Sequence, residues 1–206
     1  MTLGVLISGS GTNLQAILDA IAKGRLDAKI GVVVSNVASA TGLERARAAG
    51  VPTVVVEHKG FPDRASFDTE VVRVLRAHGV ELVVLAGFMR IVSSTLLDAF
   101  PMRVVNVHPA LLPAFPGVHA QAQALAYGVK VAGCTVHFVD AGTDTGPIIA
   151  QSPVPVLDDD DEESLRVRIL AEEHTLLPRV LQWIAEGRVR IEPRDPGRLR
   201  PRIRIG

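Results

Sequence analysis

The first half of the chain alternates between two hydrophobic rhythms. "LGVLIS" (3–8), "KIGVVVSN" (29–36), "PTVVVE" (52–57) and "ELVVLAG" (81–87) are short apolar runs, rich in β-branched residues and with little polar alternation. Between them "NLQAILDAIAKG" (13–24), "GLERARAAG" (42–50) and "DRASFDTEVVRVLRAHG" (63–79) read as helices with apolar faces, each closing on a glycine. Strands without alternation are buried on both faces, and helices between them imply a parallel sheet covered on both sides. The pattern predicts an α/β, Rossmann-like fold. "RVVNVH" (103–108) is a fifth strand. "GCTVHFVD" (133–140) and "PIIAQSPVPV" (147–156) are two more, and the short "AGTDTG" between them predicts an antiparallel C-terminal pair. A long helix over roughly 162–186 follows the acidic run "DDDDEE" and closes at Gly187. With neither an internal repeat nor a convincing linker, residues 1–206 read as one domain, ending in an Arg- and Pro-rich tail (191–206) expected on the surface.

Composition narrows the function classes. The 206 residues are 48% apolar with a formal net charge of zero, so a nucleic-acid partner is not favoured. Cys134 is the single cysteine, which excludes an internal disulfide and fits a reducing compartment. The N-terminus has no signal-peptide pattern, and no apolar run approaches the ~20 residues of a membrane span. A soluble cytoplasmic protein without membrane partners is expected.

Two stretches carry candidate chemistry. "SGSGTNLQAI" follows the first strand and opens the first helix, where glycines permit close approach and a helix N-terminus favours anions. Leu14 stands where a dinucleotide fingerprint has its third glycine, strand two ends in Ser35-Asn36 instead of an acidic residue, and there is no Walker lysine. The loop therefore suits one phosphate, through Gly11, Thr12 and Asn13, better than NAD or ATP. A plain tight turn is the bland alternative. In "RVVNVHPALLPAFPG" (103–117), Asn106 and His108 lie two apart on a strand and so share a face, at its carboxyl end. An asparagine amide can donate to a developing oxyanion, and a histidine can move a proton. The bland alternative is a polar pair capping the strand. Asp140 and Asp144, on the glycine-bracketed "DAGTDTGP", offer a carboxylate that would favour the imidazolium. Without a serine elbow or a well-placed cysteine, the nucleophile is expected to come from a substrate, such as an amine.

These segments, with "SNVASATGLERA", "VVLAGFMRIVS", "GCTVHFVDAGTDTGPII" and "EEHTLLPRVL", resemble the glycinamide ribonucleotide formyltransferase family, in order from residue 5 to about 181. The resemblance implies that the glycine amine of glycinamide ribonucleotide attacks the formyl carbon of 10-formyltetrahydrofolate, a co-substrate, with no metal. It implies a catalytic trio of Asn106, His108 and Asp144, in which Asp144 raises the pKa of His108. It implies ribonucleotide contacts at Gly11, Thr12, Asn13, Leu170, Ala171, Glu172 and Glu173. Folate contacts fall at Arg64, Met89, Arg90, Ile91, Val92, Asn106, Asp140, Ala141, Gly142, Thr143 and Asp144. Residues 1–100 would then be the phosphate-binding half and 101–190 the folate-binding and catalytic half, acting on small molecules as a monomer or homodimer. Thr12, Ala110 and Leu177 depart from many members, and none removes a catalytic group.

Rival readings remain. A 10-formyltetrahydrofolate deformylase would use the same trio with water, but carries an extra N-terminal domain, whereas here the match starts at the beginning of the chain. Methionyl-tRNA formyltransferase has a further C-terminal domain. A non-catalytic folate or nucleotide sensor would not need the trio. Leu14 and Ser35-Asn36 disfavour an NAD-dependent reductase. His58 and His78 read as surface residues, and a surface loop is expected for His119. His137 reads as either core or near the site, and His174 as substrate contact or helix packing. Asp158 to Asp161 read as a solvated helix N-terminus, not a metal site.

Overall fold

In the computed structural model, which describes residues 1–193 and 195–206, the apolar runs form parallel strands joined by helices. Arg194, within the basic tail, lies outside the described residues. The chain divides into two compact units, Met1–Asn106 and Val107–Gly206.

In the first unit the strands are β1 (Thr2–Ile7), β2 (Lys29–Ser35), β3 (Thr53–Val55), β4 (Leu82–Leu85) and the start of β5 (Val104–His108), with helices α1 (Thr12–Ala22), α2 (Gly42–Ala48), α3 (Arg64–Ala77) and α4 (Ser94–Ala99) between them. All pairings are parallel, in the order β3-β2-β1-β4-β5. Right-handed crossovers on this order put α1 and α2 on one face and α3 and α4 on the other. Accordingly α1 contacts α2, and α3 contacts α4. Both faces are covered, which is why β4 is buried at every position and β1 at all but its first.

The order reverses between β1 and β4, and ligands of open α/β sheets bind outside the strand ends at such a point. Here Ser8 ties the two departing loops together. Its N–H donates to the Gly87 carbonyl at 3.0 Å, and its Oγ accepts from the Met89 N–H at 2.8 Å.

In the second unit β6 (Val131–Phe138) and β7 (Ile148–Pro155) pair antiparallel, as the short connection predicts. The long helix α6 (Glu162–Ala185) packs on both strands and starts at a capping box between Asp161 and Ser164. The acidic run is accounted for by partners: Asp158 pairs with Lys130 and Asp160 with Arg168. The helices predicted at 13–24, 42–50, 63–79 and 162–186 stop at Gly24, Gly50, Gly79 and Gly187, all with positive φ. Not anticipated were a 3-10 turn at His58–Gly60, α4, α5 (Ala120–Tyr127), and a hairpin of β8 (Val189–Ile191) with β9 (Ile203–Ile205) in the Arg-rich tail.

Candidate functional site

In the first unit the candidate phosphate-binding residues lie on the turn from β1 into α1. Gly11 is the residue before the helix, in the left-handed region at φ 68°. A side chain there would meet the Gly42 Cα at 2.6 Å, because the two glycines pack backbone against backbone and the Gly42 N–H donates to the Gly9 carbonyl at 3.0 Å. Arg45 clamps the outer side, its Nε donating to the Ser10 carbonyl at 2.9 Å. The first N–H groups of α1, at Thr12 and Asn13, belong to the set that a helix leaves without internal acceptors. Gly11→Ala combines a disfavoured backbone conformation with a clash against backbone. It is expected to lower stability by about 1–3 kcal/mol, read by urea denaturation, and an unchanged midpoint would contradict this packing.

The loop after β4 carries Met89 to Val92. Met89 is 74% exposed and Ile91 56% exposed, large apolar side chains offered to solvent, whereas Val92 is buried. The Arg90 guanidinium lies 5.2 Å from the Phe67 ring centre, and Phe67 stacks with Phe88. This brings Arg90 to α3, whose first residue, Arg64, is exposed. The buried Asp68 on α3 accepts from both the N–H and Oγ of Ser93, at 2.5 and 2.6 Å, and so fixes the end of this loop.

In the second unit an acid–base cluster surrounds Asp144. His108, at the end of β5, places Nδ1 3.4 Å from Asp144 Oδ2, and the Gly117 N–H donates to the same oxygen at 2.8 Å. His137 on β6 places Nε2 3.6 Å from the other carboxylate oxygen, and its Nδ1 lies 2.8 Å from the Phe138 carbonyl. His108 Nε2 lies 2.8 Å from the Phe115 carbonyl. The loop between is stiff for more than its prolines: Thr135 Oγ1 donates to the Ala110 carbonyl at 2.6 Å and accepts from the Leu112 N–H at 3.0 Å. Its apolar residues line a cavity of about 500 Å³ together with Tyr127 and Val131, and none of the acid–base groups lines that cavity.

His108 is buried, and acceptors face both of its ring nitrogens. A neutral imidazole has one N–H and satisfies one of them; the imidazolium satisfies both. Burial opposes the charge and wins: it pulls the His108 pKa below its ordinary 6.5, assisted by His137, while the Phe115 carbonyl and Asp144 push upward. The expected effect of Asp144 is therefore present in sign but smaller than the desolvation. For Asp144 the balance is reversed. Burial raises its pKa, but His137, the Gly117 N–H and His108 together hold it below the usual carboxylate range. Asp144 thus adds stability above its unfolded value of about 3.8, lost as pH falls through the lower folded value. His108 acts in the same direction in a higher window: as pH falls below about 6.5 the unfolded chain takes up its proton first, and the folded state loses stability until its own lower value is passed.

On α6, Leu170 is half-buried and Ala171 exposed, Glu173 is buried and Glu172 accepts from Ser152 Oγ at 2.6 Å. Asp140 organises its own loop, its Oδ1 accepting from the Gly142 N–H at 3.1 Å and Thr145 Oγ1 at 2.6 Å, and Ala141 and Thr143 are exposed. Burial, with Glu173 and Glu172, pushes the Cys134 thiol up to about 12, which leaves it no nucleophilic role near neutrality. Among the described residues, no three of His, Cys, Asp and Glu are grouped to hold a metal ion. His119 is exposed, but His58 is half-buried with Nδ1 3.3 Å from Asn36 Nδ2, so it is tied in more firmly than a surface residue. His78 Nδ1 lies 2.8 Å from the Val74 carbonyl. No helix among the described residues is long and apolar enough to cross a membrane.

The first unit thus carries a switch-point glycine turn and the second a strand-end His–Asp–His cluster. Residues 1–181 match the formyl transferase family, and the chain belongs to it. It is 42% identical to a phosphoribosylglycinamide formyltransferase of Escherichia coli (strain K12), over 93% of this chain and 90% of that one. It is 49% identical to a trifunctional purine biosynthetic protein adenosine-3 of Drosophila melanogaster over 93% of this chain, which spans 14% of that relative's length. A crystal structure of glycinamide ribonucleotide transformylase 1 from Symbiobacterium toebii superposes with a TM-score of 0.95 at 56% identity, covering 100% of this chain and 93% of that one.

Proposed function

We propose that this chain transfers the formyl group of 10-formyltetrahydrofolate to the glycine amine of glycinamide ribonucleotide, a step of purine synthesis. The observation that carries the reading is a buried His108 held against Asp144 at a strand end where Asn106 projects from the same face. Asn106 Nδ2 and an N–H of His108 stabilise the oxygen as the amine adds to the formyl carbon. The amine must lose a proton and N10 of the folate must gain one as the C–N bond breaks. His108 is suited to carry that proton, since burial favours the neutral ring while Asp144 and the Phe115 carbonyl favour the imidazolium. To donate to substrate it must give up its contact with either Asp144 or the Phe115 carbonyl, and Asp144 stabilises whichever imidazolium forms. Gly11, Thr12 and Asn13 hold the ribonucleotide phosphate. Glu173 holds the amine, with Leu170, Ala171 and Glu172 beside it in sequence. Arg64, Met89 to Val92 and Asp140 to Asp144 form the folate contacts, and the exposed Met89 and Ile91 supply apolar surface for a flat ring.

Asp144→Asn removes the negative charge that raises the His108 pKa. Turnover is expected to fall ~10²-fold, and the His108 imidazole to titrate lower still. An unchanged imidazole titration by NMR would refute the coupling. The transfer itself is tested by following tetrahydrofolate absorbance with and without glycinamide ribonucleotide. Release that requires the ribonucleotide supports the transferase. Equal release without it means a hydrolase, and binding without turnover means a sensor.

A further inference from the structure

The Arg-rich tail returns to the catalytic loop. Arg200, half-buried just before β9, donates from Nη2 to the Asp144 carbonyl at 3.0 Å and from Nη1 to the Gly146 carbonyl at 3.2 Å. Its place follows from the hairpin, since β9 pairs with β8 and contacts β7, the strand that leaves this loop. The loop's two ends are fixed by other means. Asp140 brackets its first half from within. At the far end Gly146 packs directly on the Phe138 carbonyl, leaving no room for a side chain. Between these anchors Asp144 sits at φ 55°, a conformation that non-glycine residues keep only where the surroundings over-determine it. Its carboxylate is held by the Gly117 N–H and its carbonyl by Arg200.

The geometry points to Arg200 as a positioning residue, a latch from the C-terminal tail that holds the Asp144 peptide so that the carboxylate faces His108. The inference rests on the formyl-transfer reading for its kinetic consequence alone, because the geometry of Asp144 can be read without substrate. Two hydrogen bonds from a charged donor are lost in Arg200→Ala. In that variant kcat is expected to drop ~10-fold, the equivalent of about 1.4 kcal/mol. Arg200→Lys, with one compact donor head, is expected to recover part of the loss. Arg198→Ala, which removes an exposed pair with Asp195, is expected to behave as the unaltered protein.

The deciding measurement is the NMR titration of the His108 imidazole, with no ligand present, in the full-length protein and these variants. His108 faces Asp144, the Phe115 carbonyl and, on β6, His137. A displaced Asp144 lowers the titration midpoint toward that of Asp144→Asn. A midpoint in Arg200→Ala equal to that of the unaltered protein, with the fold intact by thermal melt, would overturn the latch. Should Arg200→Ala fail to fold, the same comparison in Arg200→Lys decides: a lowered midpoint supports the latch and an unchanged one overturns it. If the unaltered protein transfers no formyl group, the functional reading fails while the titration still judges the latch.

Discussion

His108→Ala is expected to reduce kcat by ~10²- to 10⁴-fold, with the KM values far less affected. General acid–base catalysis by a positioned side chain is worth that much, about 3–5 kcal/mol of barrier. The reasons are local. His108 meets Asp144 on one edge and the Phe115 carbonyl on the other, and it is 4% exposed, so bulk water does not readily replace it as proton carrier. The substitution also removes one of the contacts to the half-buried Asp144 carboxylate and the one to the Phe115 carbonyl, which lowers stability. A thermal melt therefore accompanies the kinetics, and the loss of kcat must persist at temperatures where the variant is folded. Added imidazole is expected to restore part of the rate by entering the space left behind. Near-normal turnover with chemistry rate-limiting would remove His108 from the mechanism.

Asn106→Ala is expected to lower kcat by ~10²- to 10³-fold, the cost of removing one oxyanion donor. Asn106 pairs with Leu85 through the backbone in the β4–β5 ladder, so alanine keeps the strand and deletes the amide. Asn106→Asp is the sharper variant. It retains the shape but presents a negative charge where an oxyanion develops, and it is expected to be at least as slow as the alanine. An aspartate variant with near-normal kcat would mean that position 106 does not meet developing negative charge.

The alternation of apolar runs and helical stretches made β1 to β4 and the helices α1, α2, α3 and α6 legible, because strands buried on both faces and helices ending at glycine write themselves locally. The antiparallel β6–β7 pair was legible from the length of its connection. The helices α4 and α5 were not: they have six and eight residues, and α5 is mostly alanine and glutamine, with no apolar stripe to read. Nor was the β8–β9 hairpin, whose pairing joins Val189 to Ile205 across an Arg- and Pro-rich stretch. Asn106 and His108 stood out because strand spacing is a local signal, whereas loop chemistry offered Asp140 and Asp144 alike and only the family resemblance singled out Asp144. His137 was ambiguous, since one imidazole in an apolar strand looks the same whether it packs or faces a carboxylate. The direction of the His108 shift depends on burial, which neighbours in sequence do not reveal. Arg200 belongs to the same class: it lies 56 residues from the carbonyl it holds.

The most direct test follows the formyl carbon itself. The protein is incubated with 10-formyltetrahydrofolate carrying a ¹³C label in the formyl group, glycinamide ribonucleotide and an excess of unlabelled formate, and the products are read by ¹³C NMR. The expected result is label in the formamide of formylglycinamide ribonucleotide, undiluted by the formate pool and formed far more slowly when His108 is replaced. Label recovered as free formate, with the ribonucleotide unmodified, would contradict transfer.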